Sequence, residues 1–175
     1  MTELSVLMSV YFKEKPEYLE ACLQSLAVQT LKADEVVLVE DGKIAPELKA
    51  IIEKYRDALN IVSVPLAENV GLAKALNKGL KHCSYDLVAR MDTDDIALPD
   101  RFEKQVAFMK SNPDITASSG FIEEFNDSGD ILSHRVLPLV HDDLVKFAKV
   151  RSPLSHPAVI FRKQAALSVG GYPEL

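Results

Sequence analysis

The sequence is poor in cysteine. It has two, Cys22 and Cys83, in 175 residues. They fall in helix-like segments without CxxC spacing, so two buried thiols in a reduced, cytoplasmic setting are expected, rather than a disulfide or a redox pair. Long apolar runs are missing, which leaves no candidate for a membrane-spanning helix. The opening, Met1-Thr2-Glu3-Leu4-Ser5, has no basic region, so no signal peptide is read. Positive charge is also short: 20 Lys and Arg stand against 26 Asp and Glu, a net charge of −6. That balance argues against a nucleic-acid partner, which normally meets a basic face. No GxGxxG follows the first apolar run, so the dinucleotide fingerprint is absent.

What is present suffices for a folded domain. Hydrophobic residues make up 47% of the chain, an ordinary share for one globular unit with a real core. Leu4 to Val10 is a continuous apolar run, as expected of a strand buried on both faces. Pro16 then suits a first helical turn. Leu19, Cys22, Leu23, Leu26 and Ala27 follow at helical spacing. Glu35–Val39, Asn60–Pro65, Asp86–Met91 and Ile115–Gly120 read as further strands. Helices are expected from Pro46 to Leu59, around Leu72 to Leu80, and after Pro99. This alternation predicts an α/β fold, a doubly wound and mostly parallel sheet. After Gly120 the pattern changes. Phe121 to Val136 reads as a hairpin on the sheet's edge, turning at Asn126-Asp127-Ser128-Gly129. A short helix over Asp142–Val150, a strand over Ala158–Phe161 and a helix over Lys163–Val169 complete the chain.

The chemistry gathers after the strands. The run Asp86-Leu87-Val88-Ala89-Arg90-Met91 ends in Asp92-Thr93-Asp94-Asp95, three carboxylates within four residues. Acids so close repel one another unless a cation lies among them. Oxygen donors of this kind suit Mg²⁺ or Mn²⁺, which completes its shell with water and phosphate. Tyr11 and Glu14 follow the first strand, and Glu40-Asp41-Gly42 the second. In a doubly wound sheet these loops share one edge, where ligands bind.

Taken in order, these segments resemble family 2 glycosyltransferases of the inverting, GT-A kind. Ser5-Val6-Leu7-Met8-Ser9-Val10-Tyr11 is similar to that family's first strand and turn. Leu38-Val39-Glu40-Asp41-Gly42 resembles its V-D-D-G-S turn. Glu68-Asn69-Val70-Gly71-Leu72-Ala73-Lys74-Ala75-Leu76-Asn77-Lys78-Gly79 resembles its N-x-G-x-x-x-A-x-N-x-G segment. Asp92-Thr93-Asp94 resembles its metal-binding D-x-D. His156-Pro157-Ala158-Val159 and Val169-Gly170-Gly171-Tyr172 resemble segments near the acceptor.

The resemblance implies a single GT-A domain over residues 1–175. Residues 1–120 would form the nucleotide-sugar half, and residues 121–175 the start of the acceptor half. It implies a UDP-sugar donor held by Ser9, Tyr11, Glu14, Asp41, Asn69, Lys74 and Asp92, with Asp41 accepting from uracil N3–H. Asp94 would ligate Mn²⁺ or Mg²⁺, aided by Asp92 or Asp95, and His156 would face the acceptor. The acceptor would be a saccharide or lipid-linked saccharide in surface polysaccharide or glycoconjugate assembly, with the protein peripheral to the inner face of a membrane.

Two departures stand out. Leu76 replaces an arginine common in that family. The family's base lies in an acidic motif after Gly-Gly-Tyr, so the base is expected beyond Leu175. That makes a nucleotide-sugar-binding module without turnover the rival reading. A second rival is another metal-dependent phosphate enzyme on an α/β sheet. Its acid-nucleophile form is disfavoured, because Ser9-Val10-Tyr11 offers no Asp after the first strand.

Overall fold

A computed structural model describes residues 2–174. Met1 and Leu175, at which the readings of the two chain ends stop, lie outside the described residues. The elements follow the alternation expected. Strand β1 (Leu4–Val10) leads to helix α1 (Pro16–Ala27), β2 (Glu35–Glu40), α2 (Pro46–Leu59), β3 (Ile61–Pro65), α3 (Leu72–His82), β4 (Leu87–Arg90) and α4 (Arg101–Ser111). Then come β5 (Ala117–Ser119), β6 (Ile122–Phe125), β7 (Ile131–Arg135), α5 (His141–Ala148), a 3-10 turn (His156–Ala158), β8 (Val159–Arg162) and α6 (Lys163–Ser168).

Six strands form one sheet in the order β3-β2-β1-β4-β8-β5. β3, β2, β1 and β4 run parallel. β8 enters antiparallel between β4 and β5. Side chains alternate between the two faces, as the pleat requires. Leu4, Val6, Met8 and Val10 of β1 pack with Leu19, Leu23, Leu48 and Phe102 from α1, α2 and α4. Leu7, Val37 and Val39 face the other way and pack with Ala75, Leu76 and Leu80 of α3. The sheet is therefore covered on both faces, which explains the unbroken apolar runs. Proline at the start of α1 and α2 loses no helical hydrogen bond there. α2 ends where Asn60 turns left-handed, at φ 47°, its amide nitrogen bonding Asp57 O at 3.5 Å.

Two expectations need correction. The hairpin β6–β7 is not on the sheet's edge; it forms a separate two-stranded sheet. The edge it was expected to occupy belongs to β5, and β8 takes the place beside β4. The tip of the hairpin instead reaches α1, where Tyr18 Oη donates to Asp127 Oδ1 at 2.8 Å. Cys83 caps α3 rather than lying within it, but both thiols are buried and free, as expected. Burial raises the Cys83 thiol to about 12, which makes it a poor nucleophile.

α3 lies unusually close to the sheet. A methyl group added at Gly79 would stand 2.6 Å from Val39 Cγ2 and 2.7 Å from Leu7 Cδ1. Gly79→Val should therefore cost about 1–3 kcal/mol through overpacking. Chemical denaturation checks this, and an unchanged midpoint contradicts the close approach.

Candidate functional site

The carboxyl ends of β1, β2 and β4 meet at one edge because these strands run parallel. The strand order reverses at β1: β2 and β3 lie on one side and β4 on the other. Ligands of open α/β sheets gather at such a carboxyl edge; here α1 and α4, which follow β1 and β4, both pack on one face.

Asp41 follows β2 and is 3% exposed. Its Oδ1 accepts from the Val70 amide at 2.7 Å, and its Oδ2 from the Gly71 amide at 3.1 Å. A carboxylate is thus held by the two amides that lead into α3, at the end where the helix dipole favours negative charge. Asn69 Nδ2 donates to the Asp41 carbonyl at 3.2 Å. Gly42, at φ 83°, lets this segment pass close by; a Cβ there would lie 2.6 Å from the Asn69 amide nitrogen. The lone pairs of Asp41 not used by these amides are what a ligand donor could reach.

Glu14 and the acid loop are joined directly. Glu14 Oε2 accepts from Thr93 Oγ1, and Glu14 Oε1 accepts from the Lys15 amide at 2.9 Å. Thr93 is 4% exposed, so this bond ties the loop after β1 to the loop after β4. Glu14 therefore serves first as a strap. Tyr11 and Phe12, exposed and edge-to-face at 5.7 Å, form the apolar lip above it.

The acid loop is braced from several sides. Arg90, wholly buried at the end of β4, donates through Nη1 to the Met91 carbonyl and through Nη2 to Asp92 Oδ1. Cys22 Sγ contacts the Asp92 carbonyl at 3.2 Å. Farther on, Ser25 Oγ accepts from the Ala97 amide at 3.1 Å. Gln29 Nε2 donates to the Leu98 carbonyl at 2.7 Å, and Gln29 Oε1 accepts from the Phe102 amide at 3.1 Å. Arg101 Nη2 donates to the Arg90 carbonyl at 2.8 Å. Burial lowers the Arg101 guanidinium to about 10, which leaves it charged at neutral pH.

The three acids have different surroundings. Asp94 is exposed, Asp92 is half-buried against Arg90, and Asp95 is half-buried. Burial, then repulsion from Asp92 and Asp94, raises Asp95 to about 6 against the pull of Arg90 and Arg101. Among the described residues, no three of His, Cys, Asp or Glu converge as a ready-made metal cage. The set does fit a hard divalent ion that takes one or two carboxylates and leaves other positions to water and phosphate.

Other expected residues are placed as follows. Ser9 pairs in the sheet with Val39, and its side chain is half-buried. Lys74 is exposed on α3, whereas Leu76 is fully buried in the core beneath it. His156 Nε2 is buried without a hydrogen-bond partner, and its ring meets Tyr172 edge-on at 5.6 Å. Burial and then the nearby Arg90 charge lower the His156 pKa. Asn77 clasps the same segment, accepting from the Tyr172 amide at 2.8 Å and donating to its carbonyl at 2.9 Å. Glu174 is exposed, its Oε1 3.4 Å from Asn77 Nδ2. Arg162 and Lys163 lie at the opposite edge, beside the start of β4. Arg162 donates to the Ile115 and Met109 carbonyls, and Lys163 to the Cys83 carbonyl. The bracing roles of Arg90, Thr93, Gln29 and Arg101 were not foreseen. Arg90 alone carries a clear sequence signal, a charge at the end of the apolar run Leu87-Val88-Ala89.

Acids gathered at the carboxyl edge of a doubly wound sheet that carries a small antiparallel addition match a GT-A-type α/β protein. The chain belongs to glycosyl transferase family 2, whose model matches residues 5–166. It is 50% identical to the amylovoran biosynthesis glycosyltransferase AmsE of Erwinia amylovora, over 96% of this chain and 63% of that protein. It is 42% identical to the Escherichia coli UDP-Gal:alpha-D-GlcNAc-diphosphoundecaprenol beta-1,3-galactosyltransferase, over 97% of this chain and 62% of that protein. The solved structure of S. aureus TarS superposes with a TM-score of 0.71 at 26% identity, covering 97% of this chain and 49% of that one. The chain thus spans less than two thirds of the length of these relatives.

The raised Asp95 pKa has a pH consequence. Its folded value lies above the usual 3.8, so the fold holds an extra proton between those values, and stability falls as pH rises through that window. The penalty is complete above the folded pKa and absent below the unfolded one. Asp95→Asn should raise the metal-free melting midpoint by a few degrees at about pH 7.5 and leave it unchanged at about pH 3.5. An equal shift at both pH values contradicts the repulsion.

Proposed function

We propose that the carboxyl edge holds a nucleotide-diphospho-sugar, with a UDP-sugar as donor, and that the protein transfers the sugar to an acceptor hydroxyl with inversion. The observation that carries this reading is the Glu14–Thr93 bond. It holds the loop that carries Tyr11 and Phe12 against the acid loop after β4, which supports a nucleoside surface and a cation site side by side. Asp41 follows β2, on the other side of β1.

The roles divide by chemistry. Tyr11 packs on the nucleoside, and a free lone pair of Asp41 accepts from uracil N3–H. Asp92 keeps one oxygen on Arg90 and offers the other to the ribose or to water around the metal. Asp94, exposed, ligates Mn²⁺ or Mg²⁺, with Asp95 beside it. The bound ion would stabilise negative charge on the departing diphosphate. His156 borders the acceptor side. A carboxylate base would deprotonate the acceptor hydroxyl, and no residue of this chain is assigned that role.

The acceptor proposed is a saccharide or lipid-linked saccharide in surface polysaccharide assembly. The support is the E. coli relative, whose name states a UDP-sugar donor and a diphosphoundecaprenol-linked acceptor. Among the described residues no helix is long and apolar enough to cross a membrane. Access from the membrane's inner face is proposed, with support from the lipid-linked acceptor in the E. coli relative's name.

Calorimetric titration with UDP, with and without Mn²⁺ and with GDP as control, tests the donor site. UDP should bind in preference to GDP, and Mn²⁺ should tighten it. Asp41→Asn should weaken UDP binding by about 10-fold or more, equally with and without metal. Asp94→Asn should abolish only the enhancement by metal. Equal behaviour of the two variants contradicts this division, and a folded chain that prefers GDP contradicts the uracil assignment.

A further inference from the structure

Arg90 is a charged side chain in a place that ordinarily takes an apolar one. It ends β4 in the register that points towards α3, between Ala89 and Met91, and it is 0% exposed. A buried guanidinium is costly unless acceptors surround it. Its acceptors are the Met91 carbonyl and Asp92 Oδ1. Its Nε has no partner. Its own carbonyl is held by Arg101. Both ends of the residue are therefore fixed, and the head group points at the first acid of the loop.

We propose that Arg90 is a positioning residue that fixes Asp92 by one oxygen, so that its other oxygen and the exposed Asp94 meet an incoming divalent cation and diphosphate in one geometry. This rests on the donor-site reading above. The physical case is one of charge and freedom. Three acids in four residues repel one another. A buried cation bonded to the first offsets its charge from inside the protein. It also removes rotamer freedom from Asp92 before the ligand arrives, so less ordering remains to oppose binding. A lysine at this position could reach one acceptor but could not hold both from a planar fork.

The test compares Arg90→Lys, Asp92→Asn, Asp94→Asn and the double variant Arg90→Lys/Asp92→Asn with the unaltered chain. Metal-free melting reads the pair without any ligand. Asp92→Asn, which strips the buried cation of its counter-charge, should lower the midpoint by about 5 °C. Asp94→Asn should not lower it. Calorimetry with UDP then reads the Mn²⁺ concentration giving half of the metal enhancement. Arg90→Lys should raise it about tenfold and leave metal-free UDP affinity within about twofold. The double variant should be no worse than Asp92→Asn alone, because the two residues act through one bond. Additive effects, or equal loss of UDP affinity with and without metal, overturn the proposal. So does an Asp92→Asn midpoint no lower than that of Asp94→Asn, a result that stands even if Arg90→Lys fails to fold. An unaltered chain that folds but shows no metal-enhanced UDP binding overturns the donor reading instead. The melting comparison then decides by itself whether Arg90 fixes Asp92.

Discussion

The return of β4 to the far side of β1 is the constraint on which the rest of the structure depends. Three strands build outward from β1 to β3, and then the chain crosses the opposite face through α3. Because of that crossing the ends of β1 and β4 lie side by side, and Glu14 after β1 reaches Thr93 after β4. The same crossing brings the N-terminus of α3 beside the end of β2, where Asp41 accepts from the Val70 and Gly71 amides just ahead of the helix. The close seat of α3 at Gly79 belongs to this arrangement too, since a bulkier residue there would lift the helix from the sheet.

The site is organised by where its charges can be satisfied. Each acid at the edge has a different partner. Asp41 has backbone amides, Glu14 has a hydroxyl and an amide, Asp92 has a buried guanidinium, and Asp94 faces solvent. Asp95 has the poorest compensation, and its pKa rises accordingly. A set of acids partitioned in this way leaves one well-exposed carboxylate and one half-committed carboxylate. That is close to what a divalent ion carrying its own water and phosphate ligands asks of a protein. The bracing by Gln29, Ser25 and Arg101 keeps the loop in that state although no regular element spans it.

Much of this was legible in the sequence, for physical reasons. Strands buried on both faces must be apolar throughout, so Leu4–Val10 and Glu35–Val39 announced themselves. Helical spacing marked α1 and α2, and the alternation of elements fixed the doubly wound class. The acids at strand ends then pointed to one edge. What could not be read were partners distant in the chain. Nothing local in Val159–Arg162 says that this strand inserts antiparallel between β4 and β5. The hairpin's own pattern says that it pairs with itself, not where it sits. Asp41 and Glu14 were expected to meet the nucleotide, and nothing local disclosed that amides and a threonine hydroxyl also claim them. Arg90 lay in plain view within Val88-Ala89-Arg90, but its meaning depends on burial that only packing reveals.

The central claim is that the acid loop and Asp41 form two sides of one donor site. The most direct measurement is an anomalous difference map from crystals of the chain grown with UDP and Mn²⁺. The account predicts a manganese peak at the Asp94 carboxylate, with the diphosphate between it and the α3 N-terminus and the uracil against Asp41. A manganese peak away from residues 92–95, or a nucleotide bound elsewhere than the carboxyl edge of β1, β2 and β4, would contradict it.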